Sequence, residues 1–374
     1  MALILVVGAG FAGSVIARSL AEAGLAVHVI DKRPHLAGNA FDSVNQYGER
    51  LHAYGPHLLH ADSSSQAISW LSRFTEWVRY EHRVRALLPD GRTTPLPVNR
   101  TTLEDVFNIR LNSEAEAKKF LDKEIVQNKI ENTDDFFLAN VGPRLADLFF
   151  RPYTKKMWGR SPKELEAAVG ARLPVRLSRD DRYFTDSFQA MPKQGFTALF
   201  ENILDHKNIK TSLSEPYSHD MYKNYDYIFT SASIDWHFNY IYGKLPYRSI
   251  IFEHIEKDIN QQAPVVNFTD DGIYTRITQW DLISNSKKRQ DSMHTFTKEI
   301  PCDPSINNEE CYYPVRNPGS INLYEKYRAL ASLNKKLTFI GRTGMFVYID
   351  MVPCVTRHLE ISRRFLGMGL RKYE

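Results

Sequence analysis

A hexapeptide near the start of the chain, GAGFAG at Gly8–Gly13, is spaced to hold a dinucleotide. Gly8 permits a tight turn, Gly10 lets backbone approach a pyrophosphate, and Gly13 lets a helix pack closely on the preceding strand. Phe11 and Ala12 open that helix. Its unpaired N–H groups and positive dipole end would face the phosphates. Asp31 follows at the end of the next apolar run, where a carboxylate can accept bonds from the adenosine ribose hydroxyls. The glycine motif alone does not choose between NAD and FAD.

These residues need a strand–helix–strand unit to position them, and the sequence predicts one. Residues 2–7 (ALILVV) form a continuous apolar run, as a buried parallel strand does. SVIARSLAEAG follows with apolar positions at helical spacing and a stop at Gly24. Leu25–Ile30 is the second strand. Farther on, Arg83–Pro89 and Arg92–Pro97 flank Asp90-Gly91, a hairpin signal. The pattern turns helical from Thr101 to Trp158, then aromatic and alternating from Tyr183 to about Thr278. Residues 281–310 are polar and irregular and read as a surface excursion. Leu337–Ile340 is a short buried strand before Gly341, and a last helix is expected near Val355–Leu366. The return of such a strand so late implies that the first and last segments share one domain, with others inserted between.

Bulk properties narrow the function classes. The 374 residues, 43% hydrophobic, suffice for two or three domains. The 48 basic and 44 acidic residues leave a net charge of +4, too mild for a nucleic-acid stripe but suited to a small anionic substrate. Cys302, Cys311 and Cys354 are odd in number and lack CxxC spacing, so neither a disulfide framework nor a metal site is expected. No apolar run approaches the ~18 residues of a membrane span. A soluble, reducing, cytoplasmic setting is the expectation.

The segment KRPHLAGNAFD, after Asp31, resembles the RxxxxGG loop of flavoproteins of the glutathione-reductase type, with Ala37 in place of one glycine. Lys32, Gly38 and Asn39 would continue the nucleotide site. Further blocks resemble the UDP-galactopyranose mutase family. They are YGPHLLH at 54–60, LPVN at 96–99, PYTKKMWG at 152–159, RLPVR at 172–176, DDRYFTDSFQAMPKQGF at 180–196, LPYRS at 245–249, NFTDDGIYTRIT at 267–278, YYPV at 312–315 and GRTGMFVYID at 341–350. They run in the family's order from Gly8 to Asp350, over nearly the whole chain.

That resemblance implies a mutase that interconverts the pyranose and furanose forms of a nucleotide-diphosphate sugar, UDP-galactose by default. Reduced FAD would be the cofactor, its nitrogen 5 attacking the anomeric carbon and displacing the diphosphate, with no net redox change. The protein would then supply binding, positioning and charge compensation. Arg172 and Arg276 match the family's phosphate arginines, and Tyr313 and Tyr348 its phosphate tyrosines. Tyr153, Trp158 and Tyr183 match positions around the uridine, with Trp158 on a mobile loop. His57, Leu58 and His60 would run beside the flavin and sugar, Arg342 would steady the flavin, and Asp350 would lie near both. Arg248 matches a further active-site arginine. The expected fold is α/β: a discontinuous Rossmann-like FAD domain (1–60, 193–234, 316–374), a helical domain (99–163), and an antiparallel sheet domain (61–98, 164–192, 235–315). An external reductant such as NAD(P)H is implied, and a homodimer stays open.

The chain also departs from the pattern. The family commonly reads GRLGTYRYLDMD where this chain reads GRTGMFVYIDMV, so Val347 and Val352 replace an arginine and an aspartate. ITQWDLI at 277–283 stands where the family has a more basic stretch. A less polar sugar edge would suit a 6-deoxy or otherwise modified sugar such as dTDP-fucopyranose. Three rivals remain on sequence alone: a conventional FAD oxidoreductase, a silent nucleotide-sugar binding flavoprotein, and an NAD-dependent dehydrogenase.

Overall fold

In the computed structural model, residues 2–170, 174–283 and 291–368 are described. The apolar run becomes strand Leu3–Val7 at the centre of a five-stranded parallel sheet. Its neighbours are Ala26–Asp31 and Ile209–Leu213 on one side, Tyr227–Thr230 and Leu337–Phe339 on the other. Strands from the beginning, middle and end of the chain thus share one sheet. Helix Phe11–Glu22 packs on it and against the C-terminal helix Met351–Met368. Ile4, Val6, Ile16, Leu20, Val29 and Phe229, all essentially inaccessible, fill the interface. Their burial is the main force holding the sheet to its helices.

The second layer is a seven-stranded sheet in the order Tyr313–Pro314, Tyr247–Lys257, His294–Cys302, Arg276–Gln279, Val265–Phe268, Val84–Leu87, Thr93–Leu96. It is antiparallel except that Val265–Phe268 and Val84–Leu87 run parallel. The predicted hairpin around Asp90-Gly91 forms its edge. One expectation is overturned. Residues 294–302 are an inner strand of this sheet, not part of a surface excursion. Their polar side chains misled the reading. Thr295, Thr297 and Glu299 are buried, and each finds a partner: Glu49, Trp280 and Arg276 respectively. Buried polar groups are tolerated when bonded.

Helices Arg100–Phe107, Glu114–Glu124, Thr133–Leu145 and Arg151–Trp158 form the helical part, joined through a wider helical turn at Ala146–Phe150. Asn99, Ser113 and Asn132 cap the first three. Gly142 breaks the third at φ 76°, where a methyl group would strike the carbonyl oxygen of Glu124 at 2.2 Å. The C-terminal helix starts at Met351, earlier than predicted, because Pro353 sits in the first turn, where a missing N–H is harmless. Among the described residues no helix is long and apolar enough to cross a membrane.

Candidate active site

The glycine loop is built by close backbone contacts. Gly8 has φ +102°, and a methyl group on Gly13 would lie 1.8 Å from the carbonyl oxygen of Gly8. Asp31 fastens the loop: Oδ2 accepts from the N–H of Ala9 at 2.8 Å and Oδ1 from that of Arg33 at 2.9 Å. No side chain caps helix Phe11–Glu22, so its first N–H groups face an open cradle. Ala37 takes φ 70°, the left-handed conformation usually given to glycine, and Gly38 follows at φ 54°. The loop path therefore survives the exchange of glycine for alanine. This cradle fits the pyrophosphate of a dinucleotide.

From the cradle a cavity of about 380 Å³ runs along the C-terminal ends of the parallel strands. Gly8, Gly10, Phe11, Ala12, Gly13 and Asn39 line one end. His57, Leu58, His60, Arg342 and Asp350 also line the cavity, as do Tyr153, Tyr183, Arg276, Tyr313 and Tyr348. A second chamber of about 180 Å³ shares Tyr153, Tyr183, Arg276, Tyr313 and Tyr348 and adds Trp158. Most of the predicted site residues thus converge on one continuous space.

Four do not line it, and one is outside the described residues. Lys32 points away and bonds Glu310 at 2.6 Å. Asp31 and Gly38 stand behind the cradle and shape it, Asp31 through the two bonds above. Arg248, expected on the substrate, lies off both walls: its Nε donates to the carbonyl of Met157 at 3.0 Å and its Nη2 to that of Lys156 at 3.2 Å. It holds the C-terminal end of helix Arg151–Trp158, where cations are favoured. Trp158, in the last turn of that helix, is buried among Leu165 and Val315 with its edge toward Tyr313. Arg172 falls outside the described residues.

The charged wall is arranged in two ways. Arg276 Nε sits 2.8 Å from Oε1 of the buried Glu299, its cross-strand neighbour. Burial disfavours the guanidinium charge, but Glu299 more than offsets this, so its pKa is raised. Arg342 instead donates to the carbonyls of Tyr312 and Ile349 at 3.2 and 3.1 Å. It lies 4.9 Å from the ring centre of Tyr313 and 5.0 Å from that of Tyr348. Those two rings stack at 5.6 Å. Three aligned groups, a cation and two phenols, therefore face the cavity together.

His57 is held neutral by its surroundings. It donates from Nδ1 to the Gly55 carbonyl oxygen at 2.7 Å, and its backbone N–H donates to Nδ1 of His52 at 2.9 Å. Burial first, then His52, Arg342 and Arg276, push the His57 pKa down to about 3. His60 stacks on Phe184 and meets Asp186 at 3.0 Å. His82, Asn267 and Thr343 on the cavity wall, and Glu299 on that of the second chamber, were not singled out by residue type or spacing. Asn267 and Thr343 lie in quoted blocks and His82 and Glu299 in none, and which of them reaches the cavity depends on the fold, which no local motif carries.

A family model described as UDP-galactopyranose mutase matches residues 148–348, more than half of the chain. The chain belongs to the UDP-galactopyranose mutase family. A model described as an NAD(P)-binding Rossmann-like domain matches residues 6–74, the cradle. The chain is 36% identical to a probable UDP-galactopyranose mutase of Klebsiella pneumoniae, over 97% of this chain and 94% of that one. It is 33% identical to a dTDP-fucopyranose mutase of Escherichia coli, over 97% and 98%. A crystal structure of reduced UDP-galactopyranose mutase superposes with a TM-score of 0.75 at 18% identity, covering 99% of this chain and 94% of that one. Membership in the UDP-galactopyranose mutase family places the chain among the nucleotide-sugar mutases, which are isomerases. Together with the Rossmann cradle it implies FAD as the dinucleotide.

Proposed function

We propose that the protein is a reduced-FAD-dependent mutase that interconverts the pyranose and furanose forms of a nucleotide-diphosphate sugar. UDP-galactose is the reference substrate. One observation carries this reading: a single cavity joins the dinucleotide cradle to a wall of Arg276, Arg342, Tyr313 and Tyr348. An oxidoreductase acting on an amine or a fatty chain has no use for such a wall beside its flavin.

When bound and reduced, FAD supplies the nucleophile for the sugar's anomeric carbon. The chain's residues do the rest. Arg276 and Arg342, with the hydroxyls of Tyr313 and Tyr348, hold the diphosphate both when it is attached and when it has left. Each charge-assisted bond contributes about 1.5–3 kcal/mol. Tyr153, Tyr183 and Trp158 give the base apolar faces. His57, kept neutral by burial with its proton on Nδ1, can accept a hydrogen bond at Nε2 without adding charge beside the cofactor. Arg172 is assigned to the same diphosphate clamp, and an external reductant such as NAD(P)H keeps the cofactor reduced.

A second reading keeps the chemistry and changes the sugar to dTDP-fucopyranose. It is favoured by Met351 and Val352, which make one side of the cavity apolar. Chromatography of the dithionite-reduced protein with UDP-galactopyranose and dTDP-fucopyranose separates the two. Furanose product from one, with kcat/KM at least tenfold above the other, assigns the sugar. No furanose product from either under reducing conditions refutes the mutase reading for both.

A further inference from the structure

His82 is a buried cavity residue that the clamp and the cradle do not use. It lies just before strand Val84–Leu87, two residues from Val84 and therefore on the same face. Val84 sits opposite Val265, and Asn267, two residues farther on that strand, sits opposite Arg276. The cavity wall thus reads imidazole, two valines, amide, guanidinium. The cation end suits the diphosphate. The imidazole stands beyond the two valines, near enough to Arg276 for that charge to disfavour its protonated form.

The ring's two nitrogens have different surroundings. Nδ1 is 3.0 Å from the hydroxyl of Tyr80. Among the described residues, no protein group bonds Nε2. Tyr80 is itself buried, and its hydroxyl has no other partner among them. A phenol that only accepted would leave its own proton unbonded, which is costly in a buried place. Tyr80 therefore donates to Nδ1, and the neutral imidazole carries its proton on Nε2. Tyr183 packs edge-on against the ring at 5.8 Å, and its N–H donates to the His82 carbonyl at 2.6 Å. The donor is fixed in position and in tautomer.

We propose that Tyr80 and His82 form a sugar-reading pair, in which the His82 Nε2–H donates to a hydroxyl or ring oxygen of the nucleotide-linked hexose and thereby sets sugar specificity. The pair binds no phosphate and transfers no proton. This rests on the mutase reading for its substrate class, and the test separates the two.

The holoprotein, His82→Phe, His82→Asn and Tyr80→Phe are compared in two measurements. The first is the dissociation constant of the nucleotide sugar and of the matching nucleoside diphosphate, UDP or dTDP, which lacks the sugar. The second is kcat/KM for the pyranose under reducing conditions. His82→Phe is expected to weaken nucleotide-sugar binding or kcat/KM roughly tenfold to a hundredfold, as loss of one buried donor does. Diphosphate binding should stay within about twofold. His82→Asn should recover part of the loss, and Tyr80→Phe should give a smaller loss of the same kind, since it frees the tautomer. Equal weakening of both ligands would make His82 a prop for Tyr183, and no weakening of either would make it filler; both results overturn the pair. Differential binding without any furanose product would keep the pair and reject the mutase.

Discussion

His358 offers a direct test of how the cavity's central turn is held. Its ring is inaccessible to solvent, in the middle of helix Met351–Met368. The N–H of Gly341 donates to Nε2 at 3.0 Å, so the proton sits on Nδ1 and is donated to the Cys354 carbonyl at 2.6 Å. Gly341 has φ +69° and opens the turn that carries Arg342 and Thr343 into the cavity. Replacing His358 by Phe keeps most of the volume and removes the acceptor. The Gly341 N–H is then buried and unpartnered, a penalty of about 1–3 kcal/mol. The Cys354 carbonyl loses only its extra bond, a further contribution of about 0.5–1.5 kcal/mol. A loss of about 2–4 kcal/mol is therefore expected in urea unfolding of the apoprotein. FAD affinity, followed by quenching of flavin fluorescence, should weaken in parallel, because the turn's N-terminal bond sets where Arg342 stands. A loss below about 1 kcal/mol with unchanged FAD affinity would show that the turn holds itself and that His358 is packing alone.

Other perturbations follow from the same geometry. Gly13→Ala puts a methyl group 1.8 Å from the Gly8 carbonyl oxygen and should yield protein without flavin absorbance, while Gly10→Ala meets Gly38 Cα at an ordinary 3.5 Å and should fold but hold flavin less tightly, because the pyrophosphate approaches the backbone there. Purified Gly13→Ala with a full flavin spectrum would contradict this. Glu299→Gln strips the carboxylate from the partly exposed Arg276 and should cost about 1.5–3 kcal/mol in the absence of ligand. Added UDP should raise its Tm more than it raises that of the wild type, because the diphosphate replaces the lost anion; equal shifts would refute that. The pH dependence has a definite sign. Burial holds His52, His57 and His82 at about 3 and His358 at about 4 in the folded chain, below the ordinary 6.5. The unfolded chain takes up protons that the folded chain refuses, so stability should be flat from these groups above 6.5 and fall from there toward 4. Each histidine contributes at most about 1.4 kcal/mol per pH unit. Urea midpoints that do not move between pH 6.5 and 5 would rule it out.

What was legible in the sequence was whatever a local pattern must carry. Gly8, Gly10, Gly13 and Asp31 announce the cradle because close backbone approach admits few residue types. Leu337–Phe339 announces its return to the first sheet by being short and apolar. Strand His294–Cys302 was illegible because its buried side chains are polar, and their satisfaction depends on Glu49, Trp280 and Arg276, which are distant in the chain. Arg248 was misassigned to substrate for the related reason that an arginine's partner is invisible in sequence: here it is the end of a helix some 90 residues earlier. His82 and His358 carry no motif at all. Each acts through a ring nitrogen whose direction only the fold determines.

The two cavity arginines are not equivalent, and the difference bears on what the cavity needs. Arg276 arrives already paired with Glu299, so its net field in the cavity is reduced. Arg342 has no carboxylate within ion-pair distance among the described residues, and is held only by carbonyl dipoles and the faces of Tyr313 and Tyr348. A half-buried cation with neutral partners is tolerable when an anion completes it. Arg342 lies where the cradle meets the tyrosine wall, so the completing charge can come from either side: the reduced cofactor or the diphosphate. An arginine shared between the two would favour the reduced cofactor most when the diphosphate is absent and would loosen its hold as the diphosphate arrives. The flavin midpoint potential should therefore fall when UDP binds to the wild type, and this ligand-induced shift should shrink in Arg342→Gln. A potential that rises or stays fixed on adding UDP would mean that Arg342 serves one anion alone.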